Sequence, residues 1–84
     1  MATVLYFASL RERLGVGRET IDLPPGDNTI ASVVASLRAR GGAWEACFSP
    51  TSVWRVAVNQ GMASLETPVK AGDEIAFFPP VTGG

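Results

Sequence analysis

The chain has 84 residues, 46% of them hydrophobic and 18% charged, with a formal net charge of −1. A chain of this size forms one domain with one core, burying a little over ~60% of the surface its unfolded form exposes. Its near-neutral balance excludes disorder and a nucleic-acid partner, and the absence of any long apolar run or signal-peptide pattern predicts a soluble cytoplasmic protein with no membrane partner. The first predicted element is Thr3–Ala8, β-branched and aromatic, apolar on both faces, and so a central strand. Ser9 with Glu12 three positions on has the spacing of a capping box, and Gly15 is placed to stop the short helix they would begin. Arg18–Leu23, with Ile21 and Leu23 at period two and Pro24-Pro25-Gly26-Asp27 behind it, predicts a second, edge-like strand.

From Thr29 to Arg40 the apolar residues Ile30, Val33, Val34 and Leu37 recur at helical spacing, and Gly41-Gly42 ends the pattern. This is the main helix. Ala43–Thr51 is less legible; Trp44, Cys47 and Phe48 at one-turn spacing would plug the core, and Ser49-Pro50-Thr51 is a turn. Val53–Asn59 alternates, with Trp54, Val56 and Val58 on one face. Asn59-Gln60-Gly61 turns the chain, and Met62–Leu65 would be the return strand. Gly72-Asp73 reverses direction before a last strand over Ile75–Phe78. The order predicts an α+β domain, a sheet of four to five strands with one main helix packed on one face. The other face is then open. Thr3, Leu5 and Phe7 share one side of the first strand and Phe78 lies opposite Ile75 and Phe77, so Leu5, Phe7 and Phe78 are expected to form an exposed apolar patch that docks a partner.

Histidine is absent and Cys47 is the single cysteine. The commonest general base and metal ligand is therefore missing, and a cysteine-rich metal site or internal disulfide framework is excluded. We expect no catalytic residue, no metal and no bound cofactor. A lone thiol is most often a small core hydrophobe.

Residues 1–78 form the expected domain, and 79–84 an extended tail. Pro79 and Pro80 lack a backbone N–H and fix φ, which ends any strand ladder. Six residues from Pro79, at ~3.3 Å each, reach roughly 20 Å. Gly83 and Gly84 add nothing to a core, but without Cβ atoms they can enter a narrow channel and present an unobstructed terminal carboxylate.

The run Gly72-Asp73-Glu74-Ile75-Ala76-Phe77-Phe78-Pro79-Pro80-Val81-Thr82-Gly83-Gly84 resembles the C-terminal signature of the small subunit of molybdopterin synthase, a ubiquitin-like sulfur carrier. Val4-Leu5-Tyr6-Phe7-Ala8, Leu10-Arg11-Glu12 with Gly15, and Ala57-Val58-Asn59-Gln60 are similar to the same family, while the likeness fades across Gly17–Ser52. The resemblance implies a β-grasp fold. It implies that an E1-like activating enzyme adenylates Gly84 with ATP-Mg, that a sulfur donor displaces AMP, and that the thiocarboxylate donates sulfur to the large synthase subunit, where cyclic pyranopterin monophosphate becomes molybdopterin. By the same resemblance the two subunits form a heterotetramer. Gly83, Thr82, Val81 and Pro80 would lie in partner clefts, Phe78, Phe7 and Leu5 would anchor the body, and Arg11 would form a rim ion pair. The alternatives are a carrier for thiazole synthesis, a ubiquitin-like modifier joined to lysines through Gly84, and an interaction domain with an inert tail.

Overall fold

The structure is a computed structural model that describes residues 1–80. Its strands in chain order are β1 (Ala2–Tyr6), β2 (Arg18–Ile21), β3 (Asn28–Thr29), β4 (Arg55–Val58), β5 (Gly61–Met62), β6 (Pro68–Val69) and β7 (Glu74–Phe78), and its helices are α1 (Ala8–Leu14), α2 (Ile30–Arg38) and α3 (Gly42–Cys47). Five strands form one mixed sheet in the order β2-β1-β7-β4-β5, and β3 pairs with β6 as a separate two-stranded ribbon. The first and last strands are neighbours and run parallel, Val4 opposite Ile75 and Tyr6 opposite Phe77, whereas β1–β2, β4–β7 and β4–β5 are antiparallel. Parallel neighbours need a long crossover. Here everything between Tyr6 and Glu74 supplies it, so the sheet closes only when both ends of the domain are present.

Alternation sorts the sheet's residues into two faces. Val4, Tyr6, Ile75, Phe77 and Val56 point to one side, each 3% exposed or less, and meet Ile30, Val33, Val34 and Leu37 from α2. Phe77 is the hub. Its ring lies 5.0 Å from Phe48 and 5.4 Å from Trp54, both edge-on, and 6.1 Å from Tyr6. Cys47 sits inside this core at 1% exposure, as a small hydrophobe. The core-plugging reading of Trp44, Cys47 and Phe48 holds, and they belong to or directly follow a third helix that the periodicity did not reveal, since six residues are too few for an apolar stripe.

The helix boundaries show where local chemistry won. Thr29 caps α2, its Oγ1 accepting from the Ser32 N–H at 3.3 Å while Ser32 Oγ accepts from the Thr29 N–H at 3.0 Å. The reciprocal bonds are those of a capping box with serine in place of the usual Glu or Gln. At α1 the expected box from Ser9 and Glu12 does not form. The helix begins at Ala8 with Phe7 in the cap position and no side-chain cap, because the Phe7 N–H still bonds to the Phe77 carbonyl and the chain turns only after it, at Ala8 with φ 51°. Gly15 does stop the helix, in the left-handed region with φ 76°. The return strand expected over Met62–Leu65 is only Gly61–Met62, since Ala31 and Ile30 of α2 take up the carbonyls of Leu65 and Thr67 instead.

Two polar fastenings hold the frame at opposite corners. Arg40 makes a bidentate pair with Glu19 at 2.8 and 2.9 Å and lies over the Trp44 ring, while the Tyr6 hydroxyl donates to the same carboxylate at 2.8 Å. Arg40, and after it Tyr6, hold Glu19 below the usual carboxylate range; burial, then the bond to Glu19, pushes the Tyr6 phenol well above its ordinary value. At the other corner Asn59 and Gln60 have φ of 50° and 71°, as a two-residue hairpin of primed type requires. The Asn59 amide donates to Asp73 Oδ1 at 3.0 Å and accepts from the Glu74 N–H at 3.0 Å, and the Lys70 N–H donates to Asp73 Oδ2 at 2.9 Å. These bonds, that from Asn59 foremost, hold the Asp73 carboxyl below its ordinary value.

A group whose folded pKa is depressed contributes stability above its unfolded pKa, about 3.9 for Asp, and that contribution is lost as pH falls through the lower folded value. The urea midpoint of the wild-type chain should therefore fall steeply below about pH 4, and Asp73→Asn should flatten that acid limb while lowering the midpoint at pH 7. Midpoints measured from pH 2 to 7 in both proteins check this.

Candidate docking face and tail root

The side of the sheet away from the helices is lined by Thr3 and Leu5 on β1, Ala76 and Phe78 on β7, and Arg55 and Ala57 on β4, none of them buried. Strand register arranges the small and apolar ones in a row. Leu5 stands opposite Ala76, Ala76 opposite Ala57, and Ala57 opposite Met62 at the sheet's edge. One step further toward the end of β7, Phe78 stands opposite Arg55, and Phe7, extended at φ −119° and ψ 155°, is 47% exposed. This band, partly exposed along Leu5, Ala76, Ala57 and Phe78, is a candidate contact surface. Small Ala76 and Ala57 at its centre let a partner approach the backbone closely. Arg55 on one side of Phe78, and Arg18 opposite Leu5 on the other flank, give it a basic border.

The three apolar residues expected to form the patch, Leu5, Phe7 and Phe78, do lie on this side. Arg11 sits at the corner where β1 ends and β2 begins, folded so closely over Gly17 that a Cβ there would come within 3.0 Å of its Nε. It has no ion-pair partner among the described residues. Sequence reasoning missed Ala57, Ala76 and Met62. Only the register aligns Ala57 and Ala76 with Leu5, and register is not readable from one strand at a time.

The face leads straight into the tail. β7 ends at Phe78, and Pro79 and Pro80 follow without regular structure, half-exposed. Of the tail residues singled out from the sequence, Pro80 is seen at this root, while Val81, Thr82, Gly83 and Gly84 lie outside the described residues. The segment from Pro79 onward thus follows directly on the strand that carries both the core hub Phe77 and the partly exposed Phe78. No group of three or more His, Cys, Asp or Glu suited to a metal ion occurs among the described residues, and no described helix is long and apolar enough to cross a membrane.

A mixed sheet with parallel first and last strands, helices grasped on one face and the other face open is the architecture of a ubiquitin-like β-grasp domain. Residues 4–84 match the family model described as the ThiS family. The chain is 44% identical, over all 84 residues and the full length of both proteins, to the molybdopterin synthase sulfur carrier subunit of Haemophilus influenzae. Among solved structures it is similar to the H. volcanii small archaeal modifier protein 1, with a TM-score of 0.79 and 29% identity over 95% of this chain and 97% of that one. It is also similar to a chain in the protein–protein complex of subunits 1 and 2 of molybdopterin-converting factor from Helicobacter pylori, with a TM-score of 0.66 and 26% identity over 99% of this chain and 97% of that one. The chain belongs to the ThiS family.

The two phenylalanines side by side in β7 should behave oppositely. Phe77→Ala, at a position with 0% exposure, should cost ~3–5 kcal/mol of stability. Phe78→Ala should cost less, about 1–2 kcal/mol, because that ring is only partly buried and lies outside the core cluster. Denaturant titration of both variants decides it.

Proposed function

We propose that this chain is the sulfur carrier subunit of a molybdopterin synthase and carries sulfur on Gly84. The observation that bears most weight is continuity: an apolar open face, made by Leu5, Ala76 and Phe78, runs without interruption into the Pro79-Pro80 root of a Gly-Gly tail. The full-length similarity to a curated sulfur carrier subunit supports the same reading. On this reading the body docks, and the tail reacts elsewhere.

The chemistry follows from what a carboxylate lacks. It is a poor electrophile, so an activating enzyme must first join a Gly84 oxygen to the α-phosphorus of ATP-Mg, with loss of pyrophosphate. Sulfur delivered at the hydrosulfide level then attacks the acyl carbon, AMP departs with that oxygen, the hydrosulfide proton is lost to solvent, and a thiocarboxylate remains. Ionised at neutral pH and soft at sulfur, it is the better nucleophile, as a thiolate is beside an alkoxide. Gly83 and Gly84 keep the acyl carbon clear of side chains, and Val81 and Thr82 contact the walls of the clefts in the activating enzyme and in the large subunit. The Phe78 and Phe7 rings and Leu5 anchor the body against the large subunit, with Arg11 at the rim, in a heterotetramer of two such pairs. The large subunit holds the catalytic residues and converts cyclic pyranopterin monophosphate to molybdopterin. ATP-Mg belongs to the activating enzyme and no cofactor resides on this chain.

A second use of the same activated terminus, attachment to lysines of other proteins, is favoured by the structural similarity to the small archaeal modifier protein. The two readings part at the product. After incubation with an activating enzyme of this pathway, ATP-Mg and a sulfur donor, intact mass should rise by the exchange of one oxygen for sulfur, and a chain lacking Gly84 should not change. Stable adducts to protein lysines in place of that increment would sink the carrier reading.

Two further outcomes follow from the geometry. Phe78→Ala should weaken binding to the large subunit by roughly 10- to 100-fold, as truncating a central aromatic anchor does, while lowering the melting temperature far less than Phe77→Ala does; calorimetric titration reads the first and thermal unfolding the second. Cys47→Ala should leave the mass increment intact, because the thiol is buried in the core and takes no part in the sulfur path.

A further inference from the structure

The outer edge of β2 serves neither the core nor the open face. β2 pairs only with β1. The Tyr6 N–H donates to the Gly17 carbonyl, while the Thr3 and Phe7 N–H groups bond on the β7 side. With Val4 opposite Glu19 and Ala2 opposite Ile21, it is therefore Gly17, Glu19 and Ile21 that bond inward. The backbone N–H and C=O groups of Arg18 and Thr20 point away from the sheet, and Asp22, directly after the last paired residue Ile21, is next in that alternation. All three residues are exposed, and no loop or side chain among the described residues satisfies these groups. Neither Arg18 nor Asp22 has an ion-pair partner among the described residues.

Such an edge is a template for another strand, and its charges say which one. We propose that β2 pairs antiparallel with β2 of a second copy of this chain, about a two-fold axis through Thr20. In that register Thr20 lies opposite Thr20 of the second copy, and Arg18 lies opposite its Asp22, twice. Opposite charges and a Thr–Thr pair directly across a strand boundary are each favourable. Each of the three residue pairs exchanges two backbone bonds, so every outward N–H and C=O of the three residues on both copies is used. A slip by one residue brings inward-bonding residues to the edge, and a parallel pairing about a two-fold axis sets each outward N–H against the same N–H of the second copy. Pro24 and Pro25 follow at once and end the ladder there. On the helix side, a groove of about 320 Å³ of mixed lining, with Ile21, Leu23 and Leu37 beside Asp22, Ser36 and Arg40, runs along β2.

The resulting sheet is continuous. Its axis is perpendicular to the sheet plane, so both open faces lie on the same side and both sets of helices on the other. β7 is antiparallel to its counterpart, so the two Phe78 residues stand at opposite ends. Pairing thus leaves both docking faces and both tail roots uncovered. The strip is short, well below the ~1,200–2,000 Å² of a standard stable interface, and the dimer is accordingly weak and concentration-dependent.

Sedimentation velocity on the full chain up to ~1 mM, a range set by that small interface, tests the proposal with four variants. Thr20→Pro removes an N–H that faces away from β1, so it should keep the fold, checked by circular dichroism, and abolish the dimer. Arg18→Asp alone, or Asp22→Arg alone, places like charges opposite each other twice and should raise the dissociation constant by roughly tenfold. The double variant, and an equimolar mixture of the two single variants, should restore wild-type association. A wild-type chain that stays monomeric throughout overturns self-pairing and leaves the edge to a strand of another protein. A dimer indifferent to Thr20→Pro and to the charge exchanges overturns it too. Were Thr20→Pro to misfold, the charge exchanges alone decide the matter.

Discussion

The structure depends on the parallel pairing of β1 with β7. That contact brings residues some seventy positions apart in the chain into one ladder, and it places Phe77 where Tyr6, Phe48 and Trp54 surround it. The other elements can be understood as conditions for it. α2 covers the paired strands with Ile30, Val33, Val34 and Leu37, and α3 with Phe48 closes the end of the core beyond it. The Glu19–Arg40–Tyr6 group ties β2 and the end of α2 to β1, while Asn59 and Asp73 tie the β4–β5 turn to the start of β7. Both are hydrogen-bonded charge groups at partly covered positions, where geometry contributes more than Coulomb attraction alone.

Legibility in the sequence followed the range of the forces involved. α2 was readable because four apolar residues at helical spacing and a threonine before them are local signals, and the central and edge strands were readable from alternation and flanking prolines. Ser9 and Glu12 misled because the cap spacing is also local, while the pairing that overruled it, Phe7 with Phe77, is not. α3, β3 and β6 were invisible for the same reason. Six-residue and two-residue elements carry no period of their own and exist because tertiary partners hold them: β3 pairs with β6, and Trp44 packs on Tyr6 and under Arg40. Of the docking face, the large residues Leu5, Phe7 and Phe78 announced themselves. The alanines between them did not, because their part comes from the rank they occupy across strands and not from their own character.

The surface is divided by strand parity and by strand position together. Odd and even residues of β7 serve the core and the open face, respectively, so adjacent side chains Phe77 and Phe78 answer to different selective demands. The sheet's middle carries the face that leads to the tail. Its outer strand β2, with Asp22 directly after it, is left with a pattern, Arg18-Thr20-Asp22, that is charge-complementary to itself when turned about Thr20.

The pairing of β1 with β7 also bears on the order of events as the chain is made. β1 leaves the ribosome long before β7 exists, and no other strand can take the place of its parallel neighbour. The long loop this contact closes makes it a slow, late step. Until then the apolar faces of β1 and α2 have nothing to shelter them, and they are surfaces for a chaperone. Assembly of the core and synthesis of the segment after Phe78 consequently fall close together in time. A terminus attached to β7 reaches the cell on a body that can fold only at that moment, so there is little interval in which the root of the tail is complete and the domain that presents it is not.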